Sequence, residues 1–307
     1  MNTLIIGHTG FIGNKLFQSL RLKEMTVHGR SRCNGLDLTH LPLVKKQLND
    51  INPDVIINCS AHVGNVHYGI ENPAYIVHDN MSMILNLYKA ISEVCPKTLV
   101  INPIANCSYP SNAEIQTEKE WWLGPPHSSA LSYATSRRMI YVISLAYNQQ
   151  FSVKTKNLIF PGVYGPGDHT DTERVHALDG IIIRMIMAKE SPKQKEFEIW
   201  GTGKPIREWC YIDDIVNLLI KTIEIDKDII YPVNIGQKKG YSIRELAEIC
   251  ARVMDYKGKL VYNTDYSDGA AIKLLDNKEF QKIFPGYVFT SLEEGIRNTI
   301  DYYQSVL

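Results

Sequence analysis

The chain has 307 residues, with 33 Lys plus Arg balanced by 33 Asp plus Glu. It is long enough to bury a large core over about two domains, and its neutral balance excludes the broad positive field that nucleic acid or an anionic membrane would favour. No apolar run approaches the ~20 residues of a membrane helix and no leader-type segment opens the sequence, so a soluble cytoplasmic protein without a membrane or nucleic-acid partner is expected.

The first stretch, MNTLIIGHTGFIG, sets the organisation. Leu4, Ile5 and Ile6 read as a buried strand that turns at Gly7, and an amphipathic helix over 11–20 follows. The first glycine, Gly7, permits the tight turn, Gly10 lets the backbone approach a pyrophosphate, and Gly13 lets helix and strand pack closely. Gly7, Thr9, Gly10, Phe11, Ile12 and Gly13 are therefore candidates to hold a dinucleotide at the positive end of the helix. A second strand over 25–28 ends in Gly29, Arg30, Ser31 and Arg32. A carboxylate at this point suits a ribose 2′-hydroxyl and an arginine suits a 2′-phosphate, so Arg30 and Arg32 lean the choice between NAD and NADP towards NADP. Asp37 is placed near the adenine edge.

Residues 54–59 form the next apolar run, 80–94 has helical spacing, and a strand over 98–102 delivers Ala105, Asn106, Cys107, Ser108 and Tyr109 to the same sheet edge. Strands alternating with helices argue for an α/β fold with a doubly wound parallel sheet. A helix over 131–149 carries Tyr133 and Arg137 on one face. The strand over 157–160 runs into PGVYGPGD, a turn that marks the domain exit. Beyond it come a polar loop over 169–176, a helix over 178–188, a strand over 196–200 and the turn GTGKP. A strand over 207–212 then leads to a helix whose N-terminus takes Asp213 and Asp214. Residues 233–235 form a strand, Ser242 and Glu245 make a capping box, and the last helix covers 292–304. The six cysteines, Cys33, Cys59, Cys95, Cys107, Cys210 and Cys250, lack zinc-type spacing, which argues against a structural metal and a disulfide framework.

With these pieces placed, the chain resembles the extended short-chain dehydrogenase/reductases that remodel nucleotide sugars, most closely the GDP-L-fucose synthases. The likeness rests on GHTGFIG, CSYP, Tyr133, VYGPGD followed by His176, WGTGKPIREW, YIDD and YKGKLVYNTDYSDGAAIKLLD. It implies a dinucleotide-binding domain over 1–165 with a segment returning at about 207–235, and a smaller mixed α/β nucleotide-sugar domain over 166–307. It also implies hydride exchange between a nicotinamide and C4 of a GDP-linked deoxyhexose or heptose, as 4-keto reduction or C4 dehydrogenation, coupled to epimerisation at C3 and C5. A homodimer or higher homo-oligomer is implied through the helices from Asn80 and Leu131.

In such enzymes a tyrosine moves the hydroxyl proton, and a nearby positive charge makes its phenolate accessible. Tyr133 holds the tyrosine position, but the lysine position is Arg137, which keeps the charge and so can keep the tyrosine pKa lowered, without lysine's geometry. The serine position is Ala105, which donates nothing. One lost hydrogen bond to developing oxyanion charge costs on the order of 10²–10³ in rate, unless Asn106 or Ser108 takes over. By the same resemblance Cys107 and His176 are the acid/base pair for epimerisation. Arg184, Trp200, Arg207 and Lys273 fall where the family holds base and diphosphate. Gly162 replaces a usual polar substrate residue, and the loop 62–71 lines the sugar pocket. An epimerase using only Cys107 and His176, and a nucleotide-sugar sensor without catalysis, are the alternatives.

Overall fold

The computed structural model describes residues 1–23, 25–64, 66–171, 175–191, 196–266 and 268–307, without the side chains of residues 66 and 67. Asn65 of the expected pocket loop, residues 172–174 of the expected polar loop and Ser267 of the NTDYSDG stretch lie outside the described residues. The chain divides into two units. One comprises Met1–Ser108, Ser128–Phe160 and Ile215–Val233, and the other Tyr109–His127, Pro161–Asp214 and Asn234–Leu307.

The first unit is built on a six-stranded sheet in the order Ile229–Asn234, Thr155–Phe160, Leu99–Ala105, Val55–Asn58, Asn2–Ile6, Thr26–Arg30. Its first four strands in sequence and Thr155–Phe160 pair in parallel. Leu4, Ile5, Ile56, Ile57, Val100, Ile101, Leu158 and Ile159 have no exposed surface, as the strands of a parallel sheet covered on both faces require. The expected doubly wound sheet is therefore present. The chain steps outward from Asn2–Ile6 to Thr26–Arg30 and then reverses to Val55–Asn58, and that reversal opens a crevice at the carboxyl ends of the first and third strands. Gly7 and Cys59 stand at that crevice.

Polar residues cross this core in register. Asn58 donates to Asn102 at 3.4 Å, and Asn102 donates to Asn157 and to the Tyr88 hydroxyl at 2.9 Å each. Some elements exceed their expected bounds. The helix expected from residue 80 begins at Pro73 and runs to Val94, with proline in the first turn, where the ring's fixed φ suits a helix and its missing N–H costs nothing. Leu41–Ile51 is a helix that the sequence reading did not place.

The second unit holds a mixed sheet. Ile206–Tyr211 pairs in parallel with Ile272–Leu275 and with Gly162–Tyr164, and antiparallel with Gly240–Ser242. Ile115–Gln116 adds to the far side of Ile272–Leu275. That strand explains why residues 109–127 group with this unit rather than with the first domain, and the role of Ile206–Tyr211 explains why the returning segment starts at Ile215, not near 207. The PGVYGPGD stretch is half strand: Gly162–Tyr164 is extended, and the turn begins at Gly165, whose φ is +140°. The capping box at Ser242 is formed, with the Glu245 N–H donating to Ser242 Oγ at 3.1 Å and the Ser242 N–H donating to Glu245 Oε2 at 2.7 Å. Among the described residues no helix is long and apolar enough to cross a membrane, and no group of His, Cys, Asp or Glu is arranged to hold a metal.

Candidate active site

In the first unit, the glycine turn has the geometry of an anion cradle. The Gly7 N–H donates to the Arg30 carbonyl at 2.8 Å, its φ is +79°, and a Cβ there would lie 2.9 Å from backbone atoms of Cys59 and Ser60. A Cβ on Gly13 would lie 2.2 Å from the Gly7 oxygen, so turn and helix meet as closely as backbones can. The helix Phe11–Leu22 starts at Gly10 with no side-chain cap and no acidic residue in its first turn. Its positive end is thus left for a ligand anion, and Thr9, Phe11 and Ile12 lie on the turn and the opening of that helix. These residues fit a dinucleotide pyrophosphate.

At the end of the second strand, Arg30 Nε donates to Gln47 Oε1 at 3.0 Å and its Nη1 to the Gly29 carbonyl at 3.0 Å. Arg32 pairs with Asp37, Nε to Oδ2, at 3.2 Å. Burial acts to raise the Asp37 carboxyl, but hydrogen bonds from Thr39 and the charge of Arg32 hold it below its ordinary value. The two residues assigned to phosphate and adenine thus form one ion pair.

Tyr133 lies in the first turn of the helix Leu131–Phe151, and the Arg137 guanidinium stands 5.3 Å from its ring centroid. Arg137 is buried. Its Nη2 donates to Asn80 Oδ1 at 2.6 Å and its Nη1 to the Ser60 carbonyl at 3.4 Å. Asn80 is itself fixed, donating to the His62 and Ile76 carbonyls at 2.8 Å each and accepting from the His62 N–H at 3.1 Å. Arg137 does pull the phenol pKa down as expected, but its pull does not decide the net direction. Burial raises it, the guanidinium pulls it down, Cys107 pushes it up, and the net direction is upward. Tyr133 therefore carries its proton at neutral pH.

The Ser108 hydroxyl is already committed within its own turn. It donates to the Ala105 carbonyl at 2.8 Å and has no exposed surface, and the Ser108 carbonyl accepts from Arg138 Nε. Asn106, half-buried at the start of the 3₁₀ turn Asn106–Ser108, takes no hydrogen bond through its carboxamide among the described residues. Cys107 follows it, half-buried and free of any disulfide. A cavity of ≈ 250 Å³ opens beside Tyr133, lined by Ile70, Pro73, Ile76 and Leu131 among others. In the loop before it, His62 Nδ1 lies 2.8 Å from Asp79 Oδ2, and Nε2 lies 2.7 Å from the Tyr68 hydroxyl. Sequence reading noted the loop but missed Asp79 and Asn80. A carboxylate and an amide in an otherwise apolar helical pattern were the available signal.

In the second unit, His176 precedes the helix Ala177–Glu190 as its N-cap residue. Arg184 lies on that helix, 4.6 Å from the Trp200 ring centroid, with Nη1 donating to the Glu198 carbonyl at 3.1 Å. Trp200 stacks on Tyr266 at 4.7 Å with 14° between the planes, so the proposed base platform is a pair of rings rather than one. Arg207 Nη2 donates to the Asp268 carbonyl at 3.3 Å. Lys273 stands directly across from Arg207 in the parallel pairing. Gly162 is explained by packing: a Cβ there would meet the Trp209 ring at 2.9 Å, so a polar side chain has no room.

A family model described as the NAD dependent epimerase/dehydratase family matches residues 3–236. GDP-L-fucose synthase of Azorhizobium caulinodans is 29% identical over 304 residues, covering 98% of this chain and 95% of that protein. The crystal structure of a GDP-6-OMe-4-keto-L-xylo-heptose reductase from Campylobacter jejuni superposes with a TM-score of 0.90 at 21% identity, covering 100% of this chain and 98% of that one. A GDP-L-fucose synthetase from Naegleria fowleri bound to NADP gives 0.87 at 24% identity, covering 99% and 92%. The two structural likenesses establish the fold.

Proposed function

Because the chain belongs to the NAD dependent epimerase/dehydratase family, we propose that it is an NAD(P)-dependent oxidoreductase that reduces the 4-keto carbon of a GDP-linked deoxyhexose or heptose and epimerises the carbons beside it. The observation that carries this reading is Tyr133 in the first turn of Leu131–Phe151 with the buried Arg137 guanidinium 5.3 Å from its ring centroid, in the unit that also bears the Gly7 turn. A phenol whose pKa burial pushes up is suited to give its proton to a ketone oxygen, which favours reduction of the two directions open to the chemistry. The names of the relatives, GDP-sugar synthases and a GDP-heptose reductase, support the same substrate class.

Gly7, Thr9, Gly10, Phe11, Ile12 and Gly13 would hold the dinucleotide, with Arg30 and Arg32 favouring NADP. Bound there, it supplies the hydride. Tyr133 donates its proton to O4 as negative charge develops, and Arg137 stabilises the phenolate left behind. Asn106 is the side chain available to give O4 a second hydrogen bond in place of Ala105. Cys107 and His176 act as acid and base at carbons whose C–H bonds the ketone acidifies. Arg184, Arg207 and Lys273 hold the diphosphate, and Trp200 with Tyr266 offers a face to the base.

The chain acts as a homodimer through Pro73–Val94 and Leu131–Phe151. Tyr75, Val77, Leu85, Leu131, Val142 and Phe151 on these two helices are exposed apolar side chains that a second copy would cover.

A second reading, epimerisation without hydride transfer, draws on Ala105 and on the commitment of the Ser108 hydroxyl. Incubation with a GDP-4-keto sugar and NADPH, followed by absorbance at the nicotinamide band and NMR of the sugar, separates the two. Nicotinamide oxidation matched to a new C4 hydroxyl is expected. Deuterium from solvent at C3 or C5 without nicotinamide oxidation selects the second reading, and no change by either route overturns both.

A further inference from the structure

We infer that Asp168 is a positioning residue for His176, gripping the imidazole by its backbone and its ring at once so that Nε2 is the nitrogen that exchanges a proton with the sugar carbon. The inference rests on the proposed role of His176 in epimerisation.

The geometry is a two-point clamp. Asp168 Oδ2 accepts from the His176 N–H at 2.8 Å and lies 2.8 Å from Nδ1. The carboxylate side chain has no exposed surface, while that of His176 is 47% exposed. An ionised carboxylate can only accept, so Nδ1 carries the proton. A ring tied to the oxygen that also holds its own backbone cannot turn over without losing a hydrogen bond. Nε2, on the opposite edge, is then the nitrogen that exchanges the proton.

The charges around the imidazole agree. Burial works against its protonated form, but the hydrogen bond and charge of Asp168, with a lesser pull from Asp179, keep its pKa above the ordinary 6.5. Asp168 lies below its ordinary value in return: burial acts to raise it, and His176 outweighs that. Asp179, one turn along the helix, is fully buried, and burial together with the charge of Asp168 pushes its carboxyl well upward. It accepts from the Gly165 N–H at 3.2 Å and the Tyr303 hydroxyl at 3.4 Å. Tyr164, Cys250 and Tyr303 are the other titratable groups behind it, all pushed up and uncharged at neutral pH. Among the described residues, Asp168 is the carboxylate in hydrogen-bond contact with the ring. In the protonation half of epimerisation the Nε2–H proton passes to the enolate carbon, the enolate electron pair becomes the new C–H bond, and the imidazole is left neutral, still donating from Nδ1 to Asp168.

The test uses the full-length protein with ¹⁵N-labelled histidine, the His176 signal being assigned by its loss in H176N. In the wild type, long-range ¹H–¹⁵N spectra above the titration should show the Nδ1–H tautomer. In D168N the titration should move to lower pH and the tautomers should mix, while D179N leaves the tautomer unchanged and moves the titration less than D168N does. With a GDP-4-keto sugar in deuterated water, D168N should slow deuterium entry beside the ketone by about 10-fold or more, shift its pH profile towards acid and leave KM near the wild-type value. A wild-type ring in the Nε2–H tautomer, or D168N with unchanged tautomer and titration, overturns the clamp even if deuterium entry is slow. Unchanged deuterium entry in H176N overturns the functional reading instead, with the spectra still deciding whether Asp168 sets the tautomer.

Discussion

Adding one methyl group at Gly13 probes how the dinucleotide cradle is built. The Cβ of G13A would sit 2.2 Å from the Gly7 oxygen and 2.8 Å from the Gly7 carbon. Against an ordinary carbon contact of ~3.5 Å, the helix Phe11–Leu22 must move away by roughly 1 Å, because neither partner is a flexible side chain. Overpacking of this kind costs about 1–3 kcal/mol of stability. The same shift withdraws backbone N–H groups from the pyrophosphate. Losing two hydrogen bonds to a charged ligand at about 1.5–3 kcal/mol each weakens binding by about 10²–10⁴-fold. Gly10 gives the contrast. A Cβ there meets the Gly7 oxygen at 3.4 Å, so G10A should unfold at the wild-type temperature while still losing affinity, since that position approaches the phosphates. Thermal unfolding without ligand and fluorescence titration with NADPH measure the two effects. A G13A protein with wild-type unfolding and affinity within threefold of wild type would refute the packing argument. Equal loss of stability in G10A would show that the cradle geometry is wrong.

Three further changes follow from named contacts. Replacing Ala105 by Ser places a hydroxyl at the end of the strand Leu99–Ala105, and C4 reduction should quicken by up to about 10²-fold; an unchanged or lower kcat would show that Asn106 already supplies the second donor. N102L leaves Asn157, Asn58 and Tyr88 without their shared partner and should cost about 3–5 kcal/mol in denaturant unfolding, against which a loss under 1 kcal/mol would count. The Asp168–His176 pair stabilises the fold most while both groups are charged. The contribution of Asp168, whose pKa is lowered from 3.8, is lost as pH falls through that lowered value. That of His176, raised from 6.5, is fully present below 6.5 and is lost as pH rises through the raised value. The difference in melting temperature between wild type and D168N should therefore peak between about pH 4 and 6.5 and shrink on both sides. A difference that keeps growing above pH 8 would contradict the pairing.

The parts that sequence makes readable are those coded locally. The strand and glycine turn at Leu4–Gly13 combine an apolar run, glycine spacing and a helical period within one short stretch. The box at Ser242 and Glu245 is likewise a contact between neighbours. The start of Pro73–Val94 was legible in principle, since Asn72 before a proline is a helix-opening signal, but the apolar periodicity becomes regular only near residue 80. The partners of Arg137 were not legible: Asn80 lies 57 residues away, and nothing in either neighbourhood announces the bond. The direction of the Tyr133 shift was missed for a related reason. The positive charge of Arg137 is written in the sequence, whereas the depth of burial that outweighs it is set by the tertiary fold. Strands as short as Ile115–Gln116 and Gly162–Tyr164 carry no period at all, and only their pairing partners, Ile272–Leu275 and Ile206–Tyr211, make them strands.

Isotope transfer tests the catalytic assignment most directly. NADPH deuterated at the transferring position of the nicotinamide is supplied with a GDP-4-keto sugar to wild-type protein and to Y133F, and the sugar C4 is read by NMR and mass spectrometry. One deuterium at C4 per turnover is expected in the wild type, with the rate lost in Y133F while NADPH affinity stays near the wild-type value. Product that forms without deuterium at C4, or a Y133F protein that labels C4 as fast as the wild type, would contradict the assignment of Tyr133 as the proton donor in a hydride transfer.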